Sequence, residues 1–171
     1  MKSPILLKPS STYKESYVQA LQEFLEDSPF PEHIEFEIKN IDNSINHMQD
    51  AAQGKNLVQR EVARSEFWLI DGEKYIGKIQ IRHKPSGRVP EAASHIYYEI
   101  RPSERGKKYG FNILKLGIAE ANKLGIHELI VTCSKGNLAS KKIIEQNVGK
   151  FLEEILLPND AIPLLKYEIL T

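Results

Sequence analysis

Apolar residues in the first third of the chain follow mainly a helical period. A short apolar stretch at 5–7 predicts a first strand, and the helix after it is predicted by apolar residues three and four positions apart, at Tyr17, Ala20, Leu21, Phe24 and Leu25. A weaker helical pattern covers 41–53 and ends at Gly54. The segment 27–37 holds two prolines and many acids, and we predict a loop there.

From residue 66 onward the period shortens to two. Runs at 66–70 and 75–81 are rich in aromatic and β-branched residues, and the Asp-Gly pair between them predicts a hairpin. A loop with prolines is predicted at 84–93. The remaining predicted elements are a strand at 95–100, a helix at 107–124 closed by Gly125, a strand at 128–133, a helix at 137–146 and strands at 150–155 and 164–170.

This order of elements predicts an α/β fold with about seven strands and four helices. In the centre of this order, a strand is followed by a turn, a helix and another strand. Such a crossover indicates that the two strands are parallel within a mixed sheet. The turn then lies at the carboxyl edge, where ligands of open α/β sheets bind. Since no repeat or linker interrupts the chain, we expect residues 1–171 to form a single domain.

The composition of the chain argues against several classes of function. Lys and Arg together number 23, as do Asp and Glu, so no overall field attracts nucleic acid or an acidic membrane, and we expect neither as a partner. The single cysteine, Cys133, excludes an internal disulfide, and no Cys/His spacing predicts a metal site. No segment is long and apolar enough for a signal sequence or a bilayer span, and we expect a soluble cytoplasmic protein.

The turn after the fourth predicted strand is the most informative segment. Residues 105–110 read Arg-Gly-Lys-Lys-Tyr-Gly and lead directly into a predicted helix. Successive backbone N–H groups, a helix N-terminus and cations together favour a phosphate or pyrophosphate. The cations oppose the helix dipole at a cost of roughly 0.3–1 kcal/mol each, so they favour a bound anion over plain solvation.

This turn resembles the acyl-CoA-binding signature of the GNAT superfamily of N-acetyltransferases, written Arg/Gln-x-x-Gly-x-Gly/Ala. Arg105 and Gly110 match its first and last positions, and Lys108 replaces the middle glycine, which fits if its φ is negative. Asn137 and Ser140 match the Asn-x-x-Ser of a second family segment. The resemblance covers about 67–151. It implies a twisted, mostly antiparallel sheet whose fourth and fifth strands are splayed to hold the cofactor.

The resemblance also implies acetyl-CoA (CoA) as the cofactor. Backbone N–H groups of 105–110 would hold the pyrophosphate, and backbone groups of 99–101 would pair with the pantetheine like an added strand. Asn137 would contact the pantetheine arm, although an asparagine there is also a good N-cap. The candidate cofactor-binding residues are Ile100, Arg101, Arg105, Gly106, Lys107, Lys108, Tyr109, Gly110, Asn137 and Ser140.

Acetyl transfer to an amine needs a base that removes the ammonium proton. Glu99 is the candidate, because it ends the strand expected to be splayed beside the thioester. The alternative is an ion-paired strand residue, and His83 and His95 are alternative bases. Tyr98 should face the opposite side of the strand, so only one of Tyr98 and Glu99 is expected to face the substrate.

The acid that reprotonates the leaving thiolate is unassigned. Many superfamily members use a tyrosine in the helix after the asparagine, and Ile144 occupies that position here. Cys133 is an alternative acid or nucleophile, although a lone strand cysteine usually packs as a small hydrophobe.

The leading hypothesis is an N-acetyltransferase that acts by direct transfer on a primary amine of a small molecule or peptide. The alternative is a CoA or acyl-CoA sensor without catalysis. The acceptor is expected to contact loops 27–37, 84–93 and 157–163. Acids in the first of these would favour a cationic amine if that loop borders the site: Glu26, Asp27, Glu32, Glu35 and Glu37. An exposed last strand could pair with a second copy to form a homodimer.

Overall fold

The structure, a computed structural model, describes residues 3–29, 31–59, 61–87, 90–158 and 160–171, with only the backbone of Asp27. Phe30, Arg88, Val89 and Asn159, which belong to the three predicted acceptor loops, lie outside the described residues. The elements, in chain order, are β1 (Ile5–Leu7), α1 (Lys14–Asp27), α2 (Pro31–Lys39), α3 (Ile41–Ala51), β2 (Arg64–Asp71), β3 (Lys74–Ser86), β4 (Ser94–Ile100), α4 (Tyr109–Lys123), β5 (Glu128–Ser134), α5 (Leu138–Gln146), β6 (Lys150–Ile155) and β7 (Leu164–Leu170).

Two predicted loops are partly regular structure. The prediction of a loop over 27–37 is wrong, because Pro31 begins helix α2, where its missing N–H costs nothing. Ile34 and Ile38, four residues apart, pack that helix onto a buried cluster. The fold therefore has five α-helices among the described residues, one more than predicted. Strand β3 also continues to Ser86 through an irregularity in its pairing with β4.

The described strands form two antiparallel sheets, in the orders β1-β2-β3-β4 and β5-β7-β6. The two sheets meet where the first residues of β4 contact β5. The Ser94 hydroxyl donates to the Ile130 carbonyl (3.2 Å), and the Ile130 N–H donates to His95 Nδ1 (2.9 Å). No ladder joins the two strands over the described residues.

Toward their other ends, β4 and β5 both contact a side chain on α5. Tyr98 of β4 and Cys133 of β5 both hydrogen-bond to Ser140. The two strands therefore run in the same direction and diverge toward their carboxyl ends. The predicted fold class, a mostly antiparallel arrangement of seven strands with the fourth and fifth splayed, is confirmed.

Two buried clusters cover the two faces of the first sheet. On one face α4 lies so close to β3 that a Cβ on Gly117 would come within 2.3 Å of Ile79 Cδ1. On the other face, under α1 and α3, the rings of Tyr17, Trp68 and Tyr75 pack with centroids 4.4 to 5.4 Å apart. Trp68 is fully buried, and burial of each such large side chain contributes roughly 1.5–3 kcal/mol.

Leu124 is 42% exposed because it lies at the C-cap of α4. One further prediction, that of an exposed last strand, is wrong. The last strand does not present a free edge, because β7 pairs with β5 on one side and β6 on the other. No helix within the described ranges combines the length and the apolar character that a bilayer span requires.

Candidate active site between the splayed strands

Strand β4 presents an open backbone edge toward β5. The Arg101 N–H donates to the Ile76 carbonyl (2.8 Å), so alternate amides of β4 face β3. The backbone groups of Tyr98 and Ile100, one position out of phase, then face the gap. The Ile100 carbonyl accepts from Arg105 Nε across 3.2 Å, which agrees with that direction.

Arg101, which was expected to contact the cofactor through its backbone, makes hydrogen bonds within the protein instead. Its amide belongs to the first sheet, and its side chain is buried. Arg101 Nε donates to Glu23 Oε1 at 2.7 Å. Of the three residues expected to pair with pantetheine, Ile100 is the one whose backbone faces the gap.

The gap forms a cavity of about 450 Å³, which we call the β4–β5 cleft. It brings together seven of the predicted site residues, namely Glu99, Ile100, Arg105, Gly106, Gly110, Asn137 and Ser140. A second cavity, of about 660 Å³, shares Gly106 and Gly110 with the cleft and is also lined by Lys108. The cleft therefore continues past the start of α4, while Lys107 and Tyr109 line neither cavity.

The turn at 105–110 has the backbone of an anion site. Gly106 has φ of +78°, with open space where a Cβ would lie. The first amides of α4 have no partner within the helix, and none of the amides from 106 to 111 donates to a backbone carbonyl in this described segment. These donors can bind an oxyanion.

The condition under which a lysine fits position 108 without strain, a negative φ, is not met. The φ of Lys108 is +66°, the left-handed conformation that glycine adopts without strain. A non-glycine residue there costs about 1 kcal/mol. The backbone thus keeps the shape that the middle glycine of the signature allows, and the substitution adds strain without changing the turn.

The basic cluster is less positive than its sequence suggests. Lys107 Nζ donates to Glu104 Oε2 at 2.9 Å, and Lys74 also pairs with this buried carboxylate. The hydrogen bond from Lys74, with that from Lys107, holds the pKa of Glu104 below its usual range. The helix begins at Tyr109 rather than at Lys107, so the cations precede its first turn.

Three distant side chains, those of Glu23, Asp71 and Lys74, anchor this turn, and sequence reasoning missed all of them. Glu23 on α1 accepts from the N–H of Ser103 (3.0 Å) as well as from Arg101. The hydroxyl of Tyr109 donates to Asp71 Oδ2 at 2.6 Å, in the β2–β3 hairpin. Partners 30 to 80 residues apart leave no local pattern in the sequence.

The opposite wall of the cleft begins at the N-terminus of α5. Asn137 Oδ1 accepts from the Ser140 N–H at 3.0 Å, so the N-cap alternative is confirmed, and Asn137 also lines the cleft.

The Tyr98 and Ser140 hydroxyls lie 2.9 Å apart, and burial raises the pKa of Tyr98 to about 12. Burial likewise raises the pKa of the Cys133 thiol. Ile144 is fully buried in the core, and Ile143 faces the cleft instead.

Glu99 lies where the cleft meets the other face of the sheet. Its Oε2 accepts from the Tyr97 hydroxyl at 2.6 Å, and its Oε1 lies 3.3 Å from Lys78 Nζ, directly across the strand pair. Tyr98 and Glu99 both line the cleft, but their side chains have different partners, Ser140 on α5 for Tyr98 and Lys78 on β3 for Glu99. That only one of the two faces the substrate stays a prediction.

The alternative bases lie elsewhere. His95 is buried at the closed end, where it accepts from Ile130, and His83 Nε2 contacts Ser65 Oγ at 3.0 Å. Neither histidine lines the cleft.

A separate cavity of about 650 Å³, which we call the α2–α3 pocket, lies on the side of the sheet that carries Glu99. Strands β2 and β3 contribute Arg64, Glu66, Lys78 and Gln80 to it, and the helices contribute residues that include Glu37 and His47. The Lys78–Glu99 ion pair joins this pocket to the cleft, because Lys78 lines one cavity and Glu99 the other.

The three segments expected to contact an acceptor lie in different places. The segment 157–163 borders the β5–α5 turn, where the Lys135 N–H donates to the Pro163 carbonyl (2.9 Å). The segment 84–93 leads into the first residues of β4, at the closed end of the cleft. The segment 27–37 contributes Glu37 to the α2–α3 pocket, while Glu35 lies 3.8 Å from Lys39 on the exposed side of α2.

Comparison with known proteins gives the same fold. RimL, a ribosomal L7/L12 alpha-N-protein acetyltransferase solved with coenzyme A, is 15% identical with a TM-score of 0.71, over 99% of this chain and 95% of that one. MccE, a microcin C7 self-immunity acetyltransferase solved with acetyl-CoA and AMP, is 15% identical with a TM-score of 0.69, over 100% and 94%. The Salmonella typhimurium enzyme that modifies the N-terminal serine of L7/L12 is 13% identical with a TM-score of 0.68, over 100% and 96%.

At such identities these structures establish the fold alone. No curated protein sequence matches the chain. A family model, described as the acetyltransferase (GNAT) domain, matches residues 12–147, which is most of the chain and includes the β4–β5 cleft. The protein therefore belongs to the GNAT family of acetyltransferases.

Proposed function

We propose that this protein transfers an acetyl group from acetyl-CoA directly to a primary amine of a small molecule or peptide. The observation that carries the proposal is the open edge of β4 at Tyr98 and Ile100, which leads to the unpaired amides of 106–111. A backbone edge can pair with an extended amide-containing arm, and the amides beyond it can bind its phosphates.

The turn can bind a pyrophosphate through its backbone, because its glycines let the chain approach the phosphates closely. Gly106 leaves open space in front of its Cα, and a Cβ on Gly110 would come within 2.6 Å of Ile143 Cδ1. We assign the phosphates to the backbone N–H groups of Gly106 through Gly110, because the N–H of Arg105, expected to contribute as well, donates to the Pro102 carbonyl (3.2 Å). We assign the pantetheine arm to the Ile100 backbone and to Asn137. Arg101 acts in this assignment through its ion pair with Glu23, which positions the turn.

Bound acetyl-CoA would supply a thioester whose carbonyl carbon accepts the amine and whose sulfur leaves as a thiolate. Glu99 is the proposed base, because it lies between the cleft and the α2–α3 pocket. Lys78 and Tyr97 hold its carboxylate in place, which leaves further lone pairs of the two oxygens for an ammonium proton.

The hydroxyls of Tyr98 and Ser140 are the proposed donors to the leaving sulfur. They lie 2.9 Å apart on the two walls of the cleft, and the tyrosine position of the family is the buried Ile144. With a pKa of about 12, Tyr98 remains protonated near neutral pH and can donate a hydrogen bond throughout.

A second candidate function is a CoA sensor without turnover. Both carboxylate oxygens of Glu99 already have partners, and Lys108 strains the phosphate turn. A sensor would keep the backbone site and have no need of a free base.

Titration calorimetry with CoA and acetyl-CoA, followed by a thiol-release assay on a panel of amines, tests the proposal. Micromolar binding together with thiol release on an amine supports the transferase. Binding without release on any amine favours the sensor. Absence of binding would contradict the assignment of the 105–110 turn in both functions.

A further inference from the structure

We propose that the α2–α3 pocket binds the acceptor and selects one that carries a second positive charge away from the amine that is acetylated. This inference rests on the proposed transferase function. The shared chemistry is a dication, which a diamine or a peptide with a basic side chain can supply.

The location of the pocket makes it the approach to the proposed base. Its floor is the polar face of β2 and β3, which continues onto β4 as Tyr97 and Glu99. Glu66 and Gln80 lie opposite each other and are hydrogen-bonded at 2.7 Å, and Lys78 connects this floor to Glu99. An acceptor bound in the pocket can therefore present one amine to Glu99 while the rest of it contacts α2 and α3.

The charges around the pocket favour a cation. Among its described lining residues the carboxylates are Glu37, Glu61 and Glu66, and the permanent cations are Arg64 and Lys78. Two histidines, His33 and His47, also line it. Glu99, at the border with the cleft, adds a fourth carboxylate against those two permanent cations. Arg64 Nη1 is held by Glu61 Oε1 at 2.7 Å, so this cation is neutralised within the protein.

The environment of Lys78 also indicates that the pocket favours a positively charged ligand. Burial alone would lower the pKa of Lys78, but the carboxylates of Glu66 and Glu99 act against burial and hold it well above its usual value. Neighbouring carboxylates that raise the pKa of a buried ammonium make the potential around it negative. An acceptor ammonium in the same surroundings would be stabilised for the same reason.

Glu37 is the residue placed to bind the second charge. It lines the pocket from α2. One of its oxygens accepts from the Tyr17 hydroxyl at 2.5 Å, and no other hydrogen bond to it forms among the residues described. Its remaining lone pairs can accept from a ligand ammonium.

Three probes of matched length test the charge preference, namely n-butylamine, 1,4-diaminobutane and 4-aminobutyrate. With saturating acetyl-CoA, kcat/KM should be at least tenfold higher for the diamine than for the monoamine, and lowest for the amino acid. The tetrapeptide amides Ser-Lys-Ala-Ala and Ser-Ala-Ala-Ala form the peptide arm. The arm that shows the preference identifies the source of the second charge. Equal kcat/KM values within both arms would overturn the inference.

Two substitutions on the same helix localise the preference. Glu37→Gln keeps an acceptor for Tyr17 but removes the charge, and should lower kcat/KM for the dicationic probe about tenfold more than for its monocationic partner. Glu35→Gln, exposed and beside Lys39, is the matched control and should change neither. Calorimetric binding of the preferred dication without acetyl-CoA should weaken in Glu37→Gln alone. Equal effects of the two substitutions would contradict the assignment of Glu37.

These outcomes separate the two proposals. Thiol release on amines without a preference for the second charge would support the transferase function but contradict the assignment of the acceptor to the α2–α3 pocket. Binding of acetyl-CoA with no release on any probe would instead contradict the transferase.

Discussion

The β4–β5 cleft and the α2–α3 pocket lie on either side of Glu99 and are built in different ways. The cleft consists largely of backbone: an open strand edge and a turn with unpaired amides. The pocket is lined mainly by charged and polar side chains, together with Phe36, Met48 and Val58, from two helices, two strands and the segments between them. A backbone site tolerates changes in side chains as long as the chain keeps its path, whereas each side chain of the pocket can change what it binds.

Lys108 illustrates the tolerance of the cleft. It replaces a glycine of the signature and still adopts the left-handed conformation, so the donors of the turn keep their directions. Glu37 illustrates the opposite case, because a single carboxylate on α2 affects the charge of the whole pocket. We therefore expect the cofactor to be fixed by the fold and the acceptor by a few side chains.

Gly110→Glu is the substitution that we expect to weaken CoA binding at the backbone site most. Its Cβ would come within 2.6 Å of Ile143 Cδ1, and its carboxylate would lie where the phosphates are assigned. We expect CoA affinity, measured by calorimetry, to fall more than a hundredfold.

Gly110→Ala is the control for bulk without charge and should cost less affinity, because the end of the Ile143 side chain can move. Both variants should first be checked for folding by thermal unfolding. Unchanged affinity in a folded Gly110→Glu variant would contradict the site assignment.

The boundary between the two regions is tested by Glu99→Gln. The amide cannot take the ammonium proton, so kcat should fall at least tenfold while CoA affinity stays the same. A rate that rises with pH in the wild type and loses this dependence in the variant would support the role of a base. A normal rate in Glu99→Gln would shift the role to a water chain.

The closed end of the cleft should respond to pH through His95. Burial, with the nearby Arg82, lowers the pKa of His95, so the unfolded chain binds this proton more readily than the folded protein. Its contribution to stability is complete above an unfolded pKa of about 6.5 and is lost as the pH falls below that value, by at most about 1.4 kcal/mol per pH unit.

Urea unfolding at pH 7.5 and pH 5.5 measures this loss. His95→Gln should lose less stability over the same interval, because its amide oxygen can accept from Ile130 at either pH. His127→Asn, at an exposed position, should behave like the wild type. Identical pH dependence in all three proteins would contradict the role of His95.

The smallest expected effect concerns the strain at Lys108. Lys108→Gly should raise the free energy of unfolding by about 1 kcal/mol, because glycine adopts positive φ without strain. Val148, at φ of +58° after α5, is the matched control outside the two cavities, and Val148→Gly should stabilise by a similar amount. Only Lys108→Gly should alter CoA affinity, and only slightly. A large loss of affinity would show that the lysine side chain itself binds the cofactor.

Local patterns were sufficient to predict much of the cleft. Strand β4, the glycines at 106 and 110, the helix after them and Asn137 at an N-cap follow from nearby residues, because turns, caps and periods depend on interactions across a few positions. The conformation of Lys108 did not follow from its neighbours in the sequence, because the anchors of its turn, at Glu23, Asp71 and Lys74, are distant in the chain.

The sequence by itself determined the order of the strands, the signature that identifies the family and the residues of the phosphate turn. Only the tertiary structure decided that α2 is a helix, that Tyr98 and Glu99 both reach the cleft, and that Lys78 connects Glu99 to a second cavity. The physical reason is the range of the interactions. A turn or a helix cap is made by neighbours in the chain, whereas a pocket wall and its charge come from residues that only the packing of separate elements brings together.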